Sequence, residues 1–218
     1  MTAIDPPGRP LRRDAQRNLE RIRVAAIEVF GERGLDASHE AIARRADVSI
    51  GTVYRRFPDR EQLIDLVFED GLDKIVAMAE DAKHMDDPAV AITHLLERIL
   101  EATSENLGLG QLLGGSAHGA QRVERARARL EPLVLSVVER ARRAGAIRPD
   151  AEPQDLPLIL LMLNTLAEAG RGIAPDVWRR YLALLIAGLR AAPAEAGPLP
   201  PAVSVEDVDR VVKAAHGA

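Results

Sequence analysis

The chain has 218 residues, of which 47% are hydrophobic, 28% are charged and 3% are aromatic, with a formal net charge of −4. This composition excludes wholesale disorder. Its apolar residues, mainly Ala, Leu, Val and Ile, favour helices over β-sandwiches. Because there is no cysteine, disulfides, thiolate zinc sites, iron–sulfur clusters and cysteine nucleophiles are excluded.

The charge is unevenly distributed along the chain. Residues 1–60 contain 12 Lys and Arg against 9 Asp and Glu, a balance of +3, whereas the remainder has a balance of −7. A mildly basic N-terminal part on an acidic body fits local binding of phosphates. Two differently charged surfaces without any partner would explain the charge equally well.

The two ends differ from the rest in composition. Residues 1–13 are rich in Pro, Gly and Arg and predict a flexible basic arm without the apolar segment of a signal peptide. The most apolar later stretch, residues 156–166, is too short to cross a bilayer, so we expect a cytoplasmic protein without membrane contact. Residues 192–218 are rich in Pro and Ala and predict a mostly disordered tail with one weak amphipathic segment, Val205–Ala215.

Residues 14–62, called the head below, predict three helices. In the first, apolar residues recur at three- and four-residue steps up to Phe30, and Gly34 ends it. Ser38 can cap a second helix that runs to residue 46, and Ser49 can cap a third that Pro58 stops.

Residues 63–191, called the body below, predict further helices and no alternating strand pattern, so the fold class is all-α. The fourth helix opens at Asp59, with Gln62 completing a variant capping box, and runs towards residue 82. Residues 108–119 contain five glycines and predict a short broken helix and loop. The other predicted helices cover residues 89–107, 123–144, 153–169 and 175–190.

The second and third helices have the arrangement of a helix-turn-helix, in which the second of the pair enters the major groove of DNA. The small residues that begin the third helix would let its backbone approach DNA closely. Val53 and Phe57, four residues apart, can face the core while Tyr54, Arg55 and Arg56 project outward.

Residues 46–63, ADVSIGTVYRRFPDREQL, resemble the signature of the TetR family of bacterial regulators, loosely A-G-V-S-x-G-T-x-Y-x-H-F-x-x-K-E-x-L. The resemblance is strong over residues 17–64 and extends to the rest of the chain in layout only. Three positions depart from the pattern. Asp47 replaces the usual turn glycine, Ile50 stands where a polar residue is common, and Arg56 replaces a histidine.

The resemblance implies which residues bind double-stranded DNA. It implies phosphate contacts from the helix caps and from Tyr54, close approach at Gly51, base reading at Arg55, and a phosphate contact from Arg60, where the family has a lysine. The DNA-binding residues so implied are Ser38, Ser49, Gly51, Thr52, Tyr54, Arg55, Arg56 and Arg60. Each also has a local explanation, as a cap, a packing residue or a solvated charge. Likewise, arginines at positions 9, 12, 13 and 17 could reach the minor groove or belong to a disordered basic tail.

The resemblance also implies a small-molecule pocket in the body and a dimer built from the last two helices. Pocket candidates are Met78, Leu96, Ile99, Leu112, Leu113, Leu133 and Met162. Interface candidates are Leu156, Leu160, Leu163, Tyr181, Leu185 and Leu189. Few charges lie on these faces, which favours an apolar or weakly polar effector, although either set could be ordinary core.

Nothing in the sequence predicts a catalytic residue, a metal site or a cofactor. The five histidines have no metal-binding spacing, and His39 is expected at the edge of the protein–DNA contact. No nucleophile elbow or phosphate-binding glycine loop is present. We therefore expect a homodimeric repressor that binds a pseudo-palindromic operator and is released by a small molecule. Alternatives are a DNA-bending or ligand-free regulator and, with less support, an enzyme.

Overall fold

A computed structural model describes residues 9–113, 120–190 and 197–215 of the chain. These residues form ten α-helices and no β-strand, so the all-α prediction is confirmed. The helices are α1 Arg9–Arg33, α2 His39–Ala46, α3 Ile50–Arg56, α4 Arg60–His84, α5 Pro88–Glu105, α6 Leu107–Leu113, α7 Ala120–Arg143, α8 Asp155–Gly170, α9 Val177–Arg190 and α10 Val205–Ala215.

The helix ends agree with the sequence predictions to within about three residues, except at the start of the chain. Helix α1 begins at Arg9, so residues 9–13 are helical, where the sequence predicted a flexible arm. The rest of the predicted arm, residues 1–8, lies outside the described residues, as do residues 114–119 of the predicted glycine-rich loop. None of the described helices is long and apolar enough to cross a membrane.

Helix α4 connects two hydrophobic cores. Its 25 residues span about 37 Å. Leu63, Val67 and Leu72 pack in the core of the head, whereas Ile75 and Ala79 pack in the core of the body. The head core also includes residues of α6 and α7. The division predicted at residue 62 therefore falls inside a shared core, and α4 and α6 couple the two parts mechanically.

Helix α6 lies against α1 with almost no space between them. A Cβ at Gly108 would come within 3.1 Å of the Phe30 carbonyl oxygen and 2.7 Å of the Phe68 ring. Since Cβ atoms do not approach other atoms so closely without a shift, glycine at position 108 lets α6 reach the backbone of α1. This contact was missed because nothing local marks it.

Long-range polar contacts fix the helices of the body. Thr103 of α5 is buried, and its hydroxyl lies 2.6 Å from Oδ1 of Asn164 of α8. The guanidinium of Arg140 on α7 donates to the carbonyl oxygens of Lys83 and Met85. These are carbonyls that the end of α4 leaves without helical partners, so α7 caps α4.

Residues 197–215 of the tail are docked on the body, whereas the sequence predicted a mostly disordered tail with one amphipathic segment, Val205–Ala215. Val208 and Val212 of α10 are buried, and α10 packs against α8. The buried guanidinium of Arg148 donates to Asp150 and to the Gly197 carbonyl oxygen. The hydrogen bond from Arg148 holds the pKa of Asp150 well below its usual range. The remaining tail residues, 192–196 and 216–218, lie outside the described residues.

Candidate nucleic-acid interface

Helix α3 is held at its start by a cap and underneath by two apolar side chains. Ser49 Oγ accepts a hydrogen bond from the Thr52 backbone N–H and lies 2.8 Å from the Thr52 hydroxyl. Val53 and Phe57 are buried. The exposed surface of α3 therefore includes Gly51, where a Cβ would meet nothing within 4 Å. It also includes Tyr54, Arg55 and Arg56.

The turn before α3 tolerates aspartate because a distant arginine supports it. Asp47 is the one described non-glycine residue with a positive φ, 50°, which is the left-handed conformation that glycine usually provides. Arg21 of α1 donates to both the carbonyl oxygen of Asp47, at 2.7 Å, and its carboxylate, at 2.8 Å. The departure from the family pattern is thus compatible with the turn.

Tyr54 stands on the ring of His39. The side chain of Tyr54 is 51% exposed, and its ring stacks on His39 with centroids 4.8 Å apart. His39 itself is 9% exposed, and its Nε2 has no hydrogen-bond partner among the described residues. Burial lowers the pKa of His39, so the ring is neutral near pH 7. The expectation that His39 lies at the DNA edge is replaced by a supporting position beneath Tyr54.

Ser38 and Arg60 both form hydrogen bonds with backbone groups of the head. Ser38 Oγ caps α2 by accepting from the Ala41 N–H. Arg60 donates to the Leu35 carbonyl oxygen at 3.2 Å and lies 3.6 Å from the Asp36 carboxylate. Arg60 therefore links the start of α4 to the connection between α1 and α2, in addition to the phosphate contact that the resemblance implies.

Arg55 and Arg56 differ from three other arginines of the head in their partners. Neither makes a hydrogen bond or an ion pair with any described residue, whereas Arg21, Arg23 and Arg45 are all paired with carboxylates. The outward face of α3 thus carries two guanidinium groups that form no ion pair among the described residues. Guanidinium groups so placed suit phosphate oxygens and the acceptor edge of guanine.

A groove of about 420 Å³ runs between α1 and α3 on the same side of the head. It is lined by Asp14, Ala15, Asn18, Leu19, Thr52, Arg55 and Arg56. Asn18, a hydrogen-bonding residue, was missed in the sequence because the quoted family pattern covers residues 46–63 and no part of α1. Asn18 lies beside the recognition helix because of the way α1 packs beside α3, and this packing cannot be inferred from the sequence pattern.

Among the described residues, the predicted pocket residues are spread over two cores and the surface. Leu96, Ile99, Leu112 and Leu133 are buried in the two cores, while Met78 and Leu113 are half-buried. Met162 is 53% exposed on α8, unlike the other six candidates. Within the described part of the chain, an open groove of about 520 Å³ lies between α4 and α7. Leu133 alone of the candidates lines it, beside Val76, Ala77, Pro132, Asp73, Glu80, Asp81, Lys83 and Arg129.

The predicted interface residues fall into two groups. Leu156, Leu163 and Leu189 are buried inside the protomer, which leaves little of their surface for a partner. Leu160 and Leu185 are half-buried, and Tyr181 is exposed. Among the described residues, no group of three or more His, Asp or Glu side chains could hold a metal ion.

A capped recognition helix with a cationic outer face, next to a tight turn and a supporting helix, defines a helix-turn-helix DNA-binding protein. Comparison with known families agrees. The family model described as "Bacterial regulatory proteins, tetR family" matches residues 22–67. A second model, described as "Transcriptional regulator SbtR-like, C-terminal domain", matches residues 87–191. The two matches together cover well over half of the chain. The chain belongs to the TetR family of bacterial transcriptional regulators.

Individual relatives are more distant. An HTH-type transcriptional regulator of Staphylococcus aureus (strain USA300) is 28% identical over 107 residues, 47% of this chain and 57% of the relative. Another, from strain MRSA252, is 32% identical over 74 residues, 34% of this chain and 40% of the relative. The chain thus matches about half the length of these curated relatives.

Solved structures are similar over more of the chain. The TetR transcription regulatory protein from Mycobacterium vanbaalenii is 28% identical with a TM-score of 0.52, covering 84% of this chain and 100% of that one. The regulator FadR from Bacillus subtilis, in complex with stearoyl-CoA, is 18% identical with a TM-score of 0.59, covering 78% and 98%. The second likeness concerns the fold alone.

Proposed function

We propose that this protein is a homodimeric repressor that reads a pseudo-palindromic operator and releases it when a small molecule binds the body. The observation that carries the proposal is the outer face of α3. There, open space at Gly51 lies beside exposed Tyr54 and two arginines without acidic partners. A helix that merely packed in a core would not combine a capped start, an open glycine and unneutralised charge on its solvent side.

A dimer is needed because one short recognition helix contacts too few base pairs to select a site in a genome. Helices α8 and α9 carry an exposed apolar surface suited to that contact. Met162, Tyr181 and Leu184 are 53%, 46% and 56% exposed, and a Cβ at Gly188 would meet nothing within 4 Å. We assign the interface to this surface, in place of the buried leucines.

The groove between α4 and α7 is the site we assign to the effector. The Bacillus subtilis FadR structure indicates that a protein of this fold can bind a small molecule. Here the groove is lined by charged Asp73, Glu80 and Arg129 as well as by Leu133. This lining favours an effector with polar groups over the purely apolar one expected from the sequence. A molecule bound there would displace α4, which also forms part of the head core.

Selection of binding sites from a pool of randomised duplexes tests the DNA-binding proposal. The wild-type protein should enrich a pseudo-palindrome whose half-sites are about one helical turn, roughly 34–36 Å, apart. Enrichment of no sequence, or of an asymmetric one, would refute the proposed mode of recognition.

Sedimentation of Leu184→Glu tests the interface. A buried unpaired carboxylate is costly, so this variant should sediment as a monomer. Val24→Glu is the matched control, because Val24 is an exposed apolar residue on α1, away from the surface of α8 and α9. A dimeric Leu184→Glu protein would contradict the assigned interface.

A further inference from the structure

Gln111 of α6 contacts both the head and the body. Its Oε1 accepts a hydrogen bond from the Leu35 backbone N–H at 2.9 Å, and Leu35 lies in the connection between α1 and α2. Its Nε2 lies 3.5 Å from Oε1 of Glu168, near the end of α8. One half-buried side chain thus joins the connection that precedes the helix-turn-helix to a helix of the proposed dimer interface.

The backbone of Leu35 is held from two directions. Gln111 accepts from its N–H, and Arg60 at the start of α4 donates to its carbonyl oxygen at 3.2 Å. The side chain of Leu35 is buried in the head core. Because both backbone groups are engaged by residues of other helices, movement of α6 is transmitted directly to the connection between α1 and α2.

The contact between α6 and the head leaves little freedom for sliding. A Cβ at Gly34, whose φ is +79°, would lie 2.7 Å from Oε1 of Gln111. A Cβ at Gly108 would lie 3.1 Å from the Phe30 carbonyl oxygen. Gly108 therefore lets α6 reach the backbone of α1, and Gly34 leaves room for the amide of Gln111, so the polar contact of Gln111 belongs to a closely packed junction.

We infer that Gln111 is a positioning residue for operator recognition, which sets the orientation of the head relative to α8 and hence the separation of the two recognition helices. The inference rests on the proposed dimeric, operator-binding function. Adjacent base pairs are about 3.4 Å apart along the duplex, since one turn of roughly 34–36 Å holds 10–10.5 base pairs. A displacement of each head by a few ångströms therefore changes which half-site spacing is read.

The test compares the affinities of Gln111→Met and wild-type protein for the selected operator and for versions with one or two base pairs inserted at its centre. Methionine has a similar length. It lacks the amide oxygen that accepts the hydrogen bond from the Leu35 N–H and the amide N–H that faces Glu168. The wild-type protein should discriminate strongly among the spacings. In Gln111→Met, the ratio of affinities between correct and altered spacing should fall at least roughly five-fold.

Affinity for a single half-site duplex is measured in parallel, because it depends on the head and not on head separation. It should be unchanged in Gln111→Met. The control is Gln121→Met, the same substitution at an exposed position of α7, which should discriminate as the wild type does. Wild-type spacing discrimination in Gln111→Met would overturn the inference, as would loss of half-site affinity, which would indicate damage to the head itself.

Glu168→Ala serves if Gln111→Met does not fold. It removes the contact to α8 and leaves the hydrogen bond to Leu35 in place, so spacing discrimination should fall while half-site affinity is retained. Unchanged discrimination in that variant would likewise overturn the inference. If the wild-type protein itself showed no spacing preference, the proposed dimeric recognition would fail and not merely the role of Gln111.

Discussion

Gly51→Ala should raise the free energy of unfolding and lower the affinity for operator DNA. One added methyl group would thus stabilise the free protein and destabilise the complex. In the free protein the new Cβ would meet nothing within 4 Å, and Gly51 is not among the described glycines with a positive φ. Alanine in place of glycine in a helix raises the free energy of unfolding by about 0.5–1 kcal/mol. For a protein of this size, each kcal/mol raises Tm by about 2–4 °C.

The methyl group is unfavourable only in the complex with DNA. If the start of α3 lies in the major groove, the methyl group occupies the space through which the backbone approaches DNA. We expect at least a tenfold loss of operator affinity, about 1.4 kcal/mol. Thermal denaturation and mobility-shift titration on the same preparation measure both effects.

Gly71→Ala is the control for the stability effect. Gly71 lies within α4, and a Cβ there would be 3.4 Å from Leu109 Cδ1, an ordinary contact distance. This variant should gain similar stability without any change in operator affinity. Unaltered DNA binding by Gly51→Ala would refute the placement of α3 against DNA, and a lowered Tm would refute the open space at position 51.

Three further predictions concern packing and charge. Gly108→Ala should lower the free energy of unfolding, because overpacking by about 1–3 kcal/mol against Phe30 and Phe68 exceeds the helix-propensity gain of about 1 kcal/mol; a urea midpoint equal to that of wild type would contradict this. His39 has a folded-state pKa below its unfolded value, so its contribution to stability is complete above that unfolded pKa and is lost as the pH falls towards the folded-state pKa. The stability of His39→Phe relative to wild type should therefore increase on acidification, and parallel urea titrations with no such trend would show that the ring is not buried in its neutral form. Arg148→Ala should release the tail, seen as faster amide exchange in Val205–Ala215 with unchanged exchange in α5; equal protection in both proteins would mean that Arg148 does not hold the tail.

The head could be predicted in detail because its determinants are local. Ser38 and Ser49 cap the helices that directly follow them, and Val53 and Phe57 set the inward face of α3 by their spacing alone. The support of Asp47 by Arg21 could not be predicted, because 26 residues separate them and no pattern joins them.

The body was predicted less well because α8 is apolar on nearly all sides. Periodicity cannot then separate a side chain packed inside the protomer, such as Leu163, from its exposed neighbour Met162. The docked tail was missed for a different reason. It depends on Arg148 reaching Gly197, 49 residues away, and composition suggested disorder.

The most direct test of sequence-specific recognition is the ratio of dissociation constants for random and selected duplexes, measured at one fixed salt concentration for wild-type protein and Arg55→Ala. Specific binding exceeds non-specific binding by roughly 10³–10⁷ in such proteins, and loss of a bidentate base contact costs about 1–3 kcal/mol. We predict a wild-type ratio of at least about 10³ and a ratio lower by about tenfold or more in Arg55→Ala. Equal ratios in the two proteins, or a wild-type ratio near unity, would contradict the central claim that α3 reads DNA sequence through Arg55.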